Sequence, residues 1–181
     1  MDRWIPDIDH VTAEVRRITS GLTDADLNWQ PAPAAWSLAS ILDHLMKVRD
    51  SYGPAISELR SAAFRPPITA RIPGLPRFIG AMILRSVAPA TERRVRTFPV
   101  WEPGPGKRRS PIVEEFAANQ ETLKALILGS GDLLARDAIL SSPANRSIVY
   151  PLGMAFEIIV RHEERHLGQM ARTVDRLRGT V

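Results

Sequence analysis

Apolar residues recur at steps of three and four along four long segments of the chain, and no segment shows a convincing strand-like alternation. Such spacing lines side chains up on one face of a helix, which restricts the sequence to an all-α architecture built from buried stripes. The first helix is expected over Asp7 to Gly21, with Ile8, Val11, Val15, Ile18 and Leu22 as its stripe and Gly21 at the exit. A second opens at Ser37, whose hydroxyl suits an N-cap, and extends to Arg60. Leu38, Ile41, Leu45, Val48 and Tyr52 mark its buried side, and Gly53-Pro54 is a point where it is expected to kink or shorten. The third starts at Ser110-Pro111, turns Val113, Phe116, Leu123 and Ile127 inward, and stops at Gly129. The last runs from Pro151 to Arg178. Between the second and third lies a proline-rich irregular stretch, Ser61 to Pro111, with a short amphipathic helix near Pro76 to Val87. Ser130 to Tyr150 is read as a second irregular stretch. Four main helices with a long crossover between the second and third predict a four-helix bundle.

The chain has 181 residues, 44% apolar and 24% charged, as expected of one globular domain spanning residues 1–181. It has no cysteine, which excludes disulfide scaffolds, zinc ribbons, thiolate nucleophiles and iron–sulfur clusters. Any metal site must therefore use histidine and carboxylate ligands. The net charge is only +4, a weak pull toward nucleic acid, although the sequence pI is 10.1. Two basic runs, Arg93-Arg94-Val95-Arg96 and Lys107-Arg108-Arg109, lack the interleaved aromatics that strand binding uses and read as solvated surface. The opening MDRWIPDIDHV has no basic region followed by an apolar stretch, and no window approaches the roughly 18 apolar residues of a spanning helix. A cytoplasmic protein without a membrane segment is expected.

The chemistry centres on four histidines, His10, His44, His162 and His166. His162 and His166 are four apart on the last helix, which puts both imidazoles on one face with Cβ atoms about 5–6 Å apart. Two rings so placed can reach one metal ion at about 2.0–2.1 Å. Ala155, Ile158, Ile159 and Met170 share that face, so the pair interrupts the stripe that enters the core. Buried imidazoles without partners are unfavourable. A metal resolves this, and so does a wet position at the end of the bundle.

The string His162-Glu163-Glu164-Arg165-His166 also satisfies the H-E-x-x-H pattern of zinc peptidases, which makes Glu163 a candidate general base. Gln169 and Arg172 stand where an extended metzincin pattern needs Gly and His, and no glutamate follows Glu164. A third ligand must therefore come from upstream, which disfavours the peptidase reading. His44, beside the second helix's stripe, is the natural upstream candidate, although taken alone it reads as a boundary histidine with a wet edge. His10 lies off its stripe and reads as a surface residue. Gln169 shares the face of His162 and is placed either to orient a ligand or contact a cofactor, or to serve as a boundary amide. Gln120 interrupts the third stripe, which places it either facing the site or, as the favoured reading, in core-edge packing. Glu163 lies about 100° around the helix from His162, toward a neighbouring helix or solvent. Trp29, Trp36 and Trp101 read as packing anchors.

Three segments carry a family resemblance. Trp36-Ser37-Leu38-Ala39-Ser40-Ile41-Leu42-Asp43-His44-Leu45 resembles the tryptophan–serine to histidine–leucine segment of the DinB-like superfamily. Arg161-His162-Glu163-Glu164-Arg165-His166-Leu167-Gly168-Gln169 resembles that family's closing H-x-x-x-H-x-x-Q helix, and Arg96 to Pro103 is similar to the loop before its third helix. The resemblance spans nearly the whole chain. It implies an up-down-down-up four-helix bundle, often dimeric, with one divalent metal held by His44, His162 and His166. It also implies a small-molecule substrate and thiol S-transferase chemistry with bacillithiol, mycothiol or glutathione, or metal-dependent hydrolysis. Three neutral imidazoles leave an open coordination position, and zinc or nickel suits such a shell. The rival expectations are a bundle that binds a metal or small ligand without turnover, for instance in a stress response, and a metal-free structural bundle.

Overall fold

A computed structural model of the chain describes residues 2–33, 35–61, 64–89, 96–109 and 111–179. Helix α1 (Ile5–Thr19) carries Pro6 in its first turn, where the missing N–H costs nothing, and buries Ile8, Val11, Val15 and Ile18 as the stripe predicts. The chain leaves it through Gly21 at φ +76°, a conformation that residues bearing a Cβ adopt only with strain. A single turn, α2 (Asp24–Leu27), is closed by a reciprocal capping box between Thr23 and Asp26. Helix α3 (Leu38–Arg60) begins where the Ser37 hydroxyl accepts the Ser40 N–H at 3.1 Å. Gly53-Pro54 does not shorten it; Pro54 sits inside the helix.

The crossover holds α4 (Leu75–Val87), close to its expected bounds. Helix α5 (Ile112–Leu128) follows, with Pro111 at its N-cap position; the Ser110 cap expected from the sequence lies outside the described residues. A short α6 (Gly131–Ala135) leads into a feature that the periodicity does not show. Residues 139–151 form an antiparallel hairpin of β1 (Ile139–Ser142) and β2 (Asn145–Pro151), pairing Ile139 with Pro151, Leu140 with Tyr150 and Ser141 with Val149. Leu140, Ser141 and Ser142 are buried in succession, as are Val149, Tyr150 and Pro151, so neither strand alternates in sequence. Two strands are marginal alone; here α3 and α4 pack against them. Helix α7 (Leu152–Gly179) completes the chain.

Helices α1 and α3 each pack against both α5 and α7, so the four long helices close a ring of contacts. Helix α4 lies against α7 and β2. The approach is tight at Gly80, where an added Cβ would sit 2.9 Å from Met154 Sδ and 3.0 Å from Tyr150 Cβ. Met154 can swing aside, but Tyr150 Cβ is fixed by the strand. Gly80→Ala is therefore expected to cost about 1–3 kcal/mol, read as a lowered urea midpoint with an unchanged slope. An unaltered midpoint would contradict this packing.

The interior divides into two apolar clusters. One gathers Ile8, Val48, Leu123, Tyr150 and Phe156; the other gathers Val11, Leu42, Phe116 and Met170. On α5 and α7 the change from one cluster to the other falls on polar residues. Gln120 separates Phe116 from Leu123, and His162, Glu163 and His166 separate Val160 from Met170. A polar layer thus crosses the helical interior. It concentrates titratable chemistry where desolvation is strongest.

Candidate metal centre

His44 enters the polar layer from α3, and His162 and His166 from successive turns of α7. His44 Nε2 lies 3.3 Å from His162 Nε2, and His166 Nε2 lies 3.1 Å from the same atom. Residues 118 positions apart in sequence are thereby brought together. One nitrogen from each of the three rings falls within 4.8 Å of the others, a group able to hold a metal ion. His10, by contrast, is exposed on α1.

The outer nitrogens of two rings are spoken for. His44 Nδ1–H donates to the Trp101 carbonyl at 2.7 Å, and His166 Nδ1–H donates to Gln169 Oε1 at 2.9 Å. Neither acceptor has a proton to give, so in the neutral rings the Nδ1 atoms carry the protons and the Nε2 lone pairs face inward. This is the arrangement in which a partner beyond the ligand fixes tautomer and ring orientation. Gln169 therefore touches a histidine rather than standing as a free boundary amide.

Trp36 walls the cluster. Its ring is 4.8 Å from that of His44 and 6.3 Å from that of His166, nearly parallel to the latter. Burial pushes the protonation of all three imidazoles down. His166 falls to about 3 through burial and the neighbouring His44, and His162 falls well below its usual range through burial and its two neighbours. His44 is lowered by burial against the opposing pull of its bond to Trp101. All three are neutral at pH 7, the form in which imidazole binds metal. The inward lone pairs of His44 and His166 converge on His162 Nε2, which serves as a third donor when its own ring is protonated on Nδ1. The donor set, the tautomers of His44 and His166 and the neutral state of the rings fit a divalent ion.

Glu163, the candidate base, is 1% exposed and faces a neighbouring helix: its Oε1 accepts the Gln120 side-chain N–H at 2.9 Å. Gln120 is fully buried rather than at the core edge, which corrects that expectation. Burial raises the Glu163 carboxyl to about 8, against the lowering effect of the Gln120 bond. Glu163 Oε2 and Gln120 Oε1 are both buried acceptors without a partner. A proton held on the carboxyl supplies the donor this pair lacks.

Several residues around the centre were not singled out by sequence reasoning. Asp43 is nearly buried, with Gly104 N–H on one oxygen at 2.6 Å and Arg108 on the other at 2.8 Å. Burial pulls its carboxyl up, but Gly104, Arg108 and Lys47 outweigh this and hold it below its usual value. Arg108 is thus tied to α3 rather than simply solvated, while Arg93, Arg94 and Val95 of the other basic run lie outside the described residues. Trp101 matters through its carbonyl, which no side-chain pattern reveals.

Among the described residues no helix is long and apolar enough to cross a membrane. Comparison with curated proteins and with solved structures returns no match. The sequence model of the DinB superfamily matches residues 7–170, a span that contains all three clustered histidines. The chain belongs to the DinB superfamily.

Proposed function

We propose that the protein is a metal-dependent enzyme acting on small molecules, by thiol S-transfer or hydrolysis, with His44, His162 and His166 as ligands of one divalent ion. The observation that carries this reading is the convergence of three Nε2 atoms, with two of the rings held from behind, His44 by Trp101 and His166 by Gln169. The ring of contacts among α1, α3, α5 and α7 supports an up-down-down-up four-helix bundle in one domain over residues 1–181. Zinc or nickel suits an all-imidazole shell. When bound, such an ion supplies Lewis acidity that lowers the pKa of a coordinated water or thiol.

The chain's own residues do the rest. Trp101 and Gln169 keep the Nδ1 protons in place, Trp36 shields two of the rings, and the site accepts a low-molecular-weight thiol or a water as cosubstrate. Glu163 is the candidate general base; with its carboxyl raised to about 8 it holds a proton at neutral pH and accepts one from substrate only after releasing its own. A homodimer in the cytoplasm completes the proposal. A second reading, metal binding without turnover in a stress response, is favoured by one observation: Glu163 is bonded to Gln120 and is not part of the imidazole cluster.

The test uses untagged protein. Elemental analysis is expected to give one zinc or nickel per chain, and a chelator is expected to remove it and lower the melting temperature. Holoprotein is then offered electrophiles with a panel of low-molecular-weight thiols, and ester and amide substrates. Turnover supports the enzyme, metal without turnover supports the binder, and protein that takes up no divalent ion defeats both.

A further inference from the structure

We infer that three polar residues along one side of α3, Asp43, Lys47 and Ser51, position the His44 ligand nitrogen by holding the Trp101 carbonyl in place. The inference rests on the metal reading above and names residues that touch neither metal nor substrate. Their spacing of four stacks them one above another on the helix, and each grips the segment around Trp101. Asp43 accepts the Gly104 N–H at 2.6 Å, Lys47 Nζ donates to the Glu102 carbonyl at 2.8 Å, and the Trp101 indole N–H donates to Ser51 Oγ at 3.1 Å. Lys47 also pairs with Asp43 at 3.3 Å, and Arg108 clamps the far side of the same loop onto Asp43 at 2.8 Å.

Trp101 is therefore fixed at its ring and through the residues that follow it. Its carbonyl is left with one direction to point, onto His44 Nδ1 at 2.7 Å. The segment is a short 3-10 turn, Pro99–Trp101, which depends on the elements it packs against for its support. The α3 side chains supply that support. Release of the carbonyl frees His44 to rotate and to carry its proton on Nε2, where it opposes a metal.

Two measurements test this. In metal-free, 15N-labelled protein at pH 8, long-range 1H–15N correlation reports the His44 tautomer. The wild-type ring is expected to be protonated on Nδ1, and Ser51→Ala, Lys47→Met and Asp43→Ala to convert it to a mixture with Nε2–H. Cobalt(II) titration against a chromophoric chelator is expected to show roughly ten- to hundred-fold weaker binding for Asp43→Ala with an altered ligand-field spectrum. Asp43→Asn, which retains an acceptor for Gly104, is expected to recover part of the loss. Gly80→Ala, destabilised elsewhere, is the control for a merely structural effect and is expected to keep wild-type tautomer and spectrum. The inference is overturned if His44 remains wholly Nδ1-protonated in the variants and cobalt affinity is unchanged. If Asp43→Ala does not fold, Ser51→Ala, which removes the acceptor of the Trp101 indole, and Lys47→Met, which removes the donor to the Glu102 carbonyl, decide the matter. Wild-type protein that binds no cobalt defeats the metal reading, whereas the tautomer result still decides the positioning role.

Discussion

His166→Ala is expected to lower divalent-metal affinity by at least roughly a hundred-fold, more than a change beyond the ligands themselves would. The ring lost is the one whose Nε2 lies 3.1 Å from His162 and whose Nδ1 is anchored to Gln169. Alanine leaves two imidazoles, and water entering the gap cannot replace a neutral nitrogen donor held in register by its neighbours. Elemental analysis of untagged protein after dialysis checks this, with His10→Ala as the control because His10 is exposed on α1. Protein carrying His166→Ala that still retains one equivalent of metal would show that the ligand set is wrong. His44→Ala is expected to behave in the same way, which separates a shared three-ring site from a pair confined to α7.

The second large effect concerns Glu163 and stability in the metal-free protein. Its folded value of about 8 lies above the ordinary 4.5, so the folded state binds a proton that the unfolded state gives up between those two values. Stability from this group is intact below pH 4.5 and is lost as pH rises to about 8, at roughly 1.4 kcal/mol per pH unit. Glu163→Gln keeps an acceptor for Gln120 and adds an N–H for the unpartnered Gln120 Oε1. The variant is therefore expected to gain several kcal/mol over wild type at pH 8 and little at pH 5. The histidines act in the opposite sense. Depressed in the folded state, they draw stability down as pH falls below 6.5, and for His166 this continues to about 3. Urea unfolding at pH 5 and pH 8 separates the two groups. Equal wild-type and Glu163→Gln stabilities at pH 8 would mean that Glu163 is ionised and solvated in the folded protein.

Much of the architecture could be read in advance because it is governed by local spacing. The stripe Ile8, Val11, Val15, Ile18 is buried as a unit, Ser37 caps α3 as its hydroxyl suggests, and the crossover helix falls within one residue of its expected start. The hairpin escaped because both its strands carry consecutive buried residues, which mimic an irregular segment. Gln120 was misjudged as core edge because a stripe says which face a residue occupies, not how deep that face is buried by its neighbours. His162 and His166 were legible as a pair, since four residues of helix place them together whatever the rest of the chain does. His44 was tied to them through the resemblance of whole segments and not through any spacing, because α3 and α7 are connected by a long stretch of chain.

Helical periodicity and the His162–His166 pair follow from covalent spacing and the lack of thiols from composition, and each could be stated before any helix had met another. What depended on packing was depth, direction and partnership: the fall of His166 to about 3, the rise of Glu163 to about 8, the Trp101 carbonyl behind His44 and the grip of Asp43 on its loop. These arise from desolvation and from hydrogen bonds between distant segments, and both are set by which surfaces exclude water together. A stripe on one helix contains no information about what will be pressed against it.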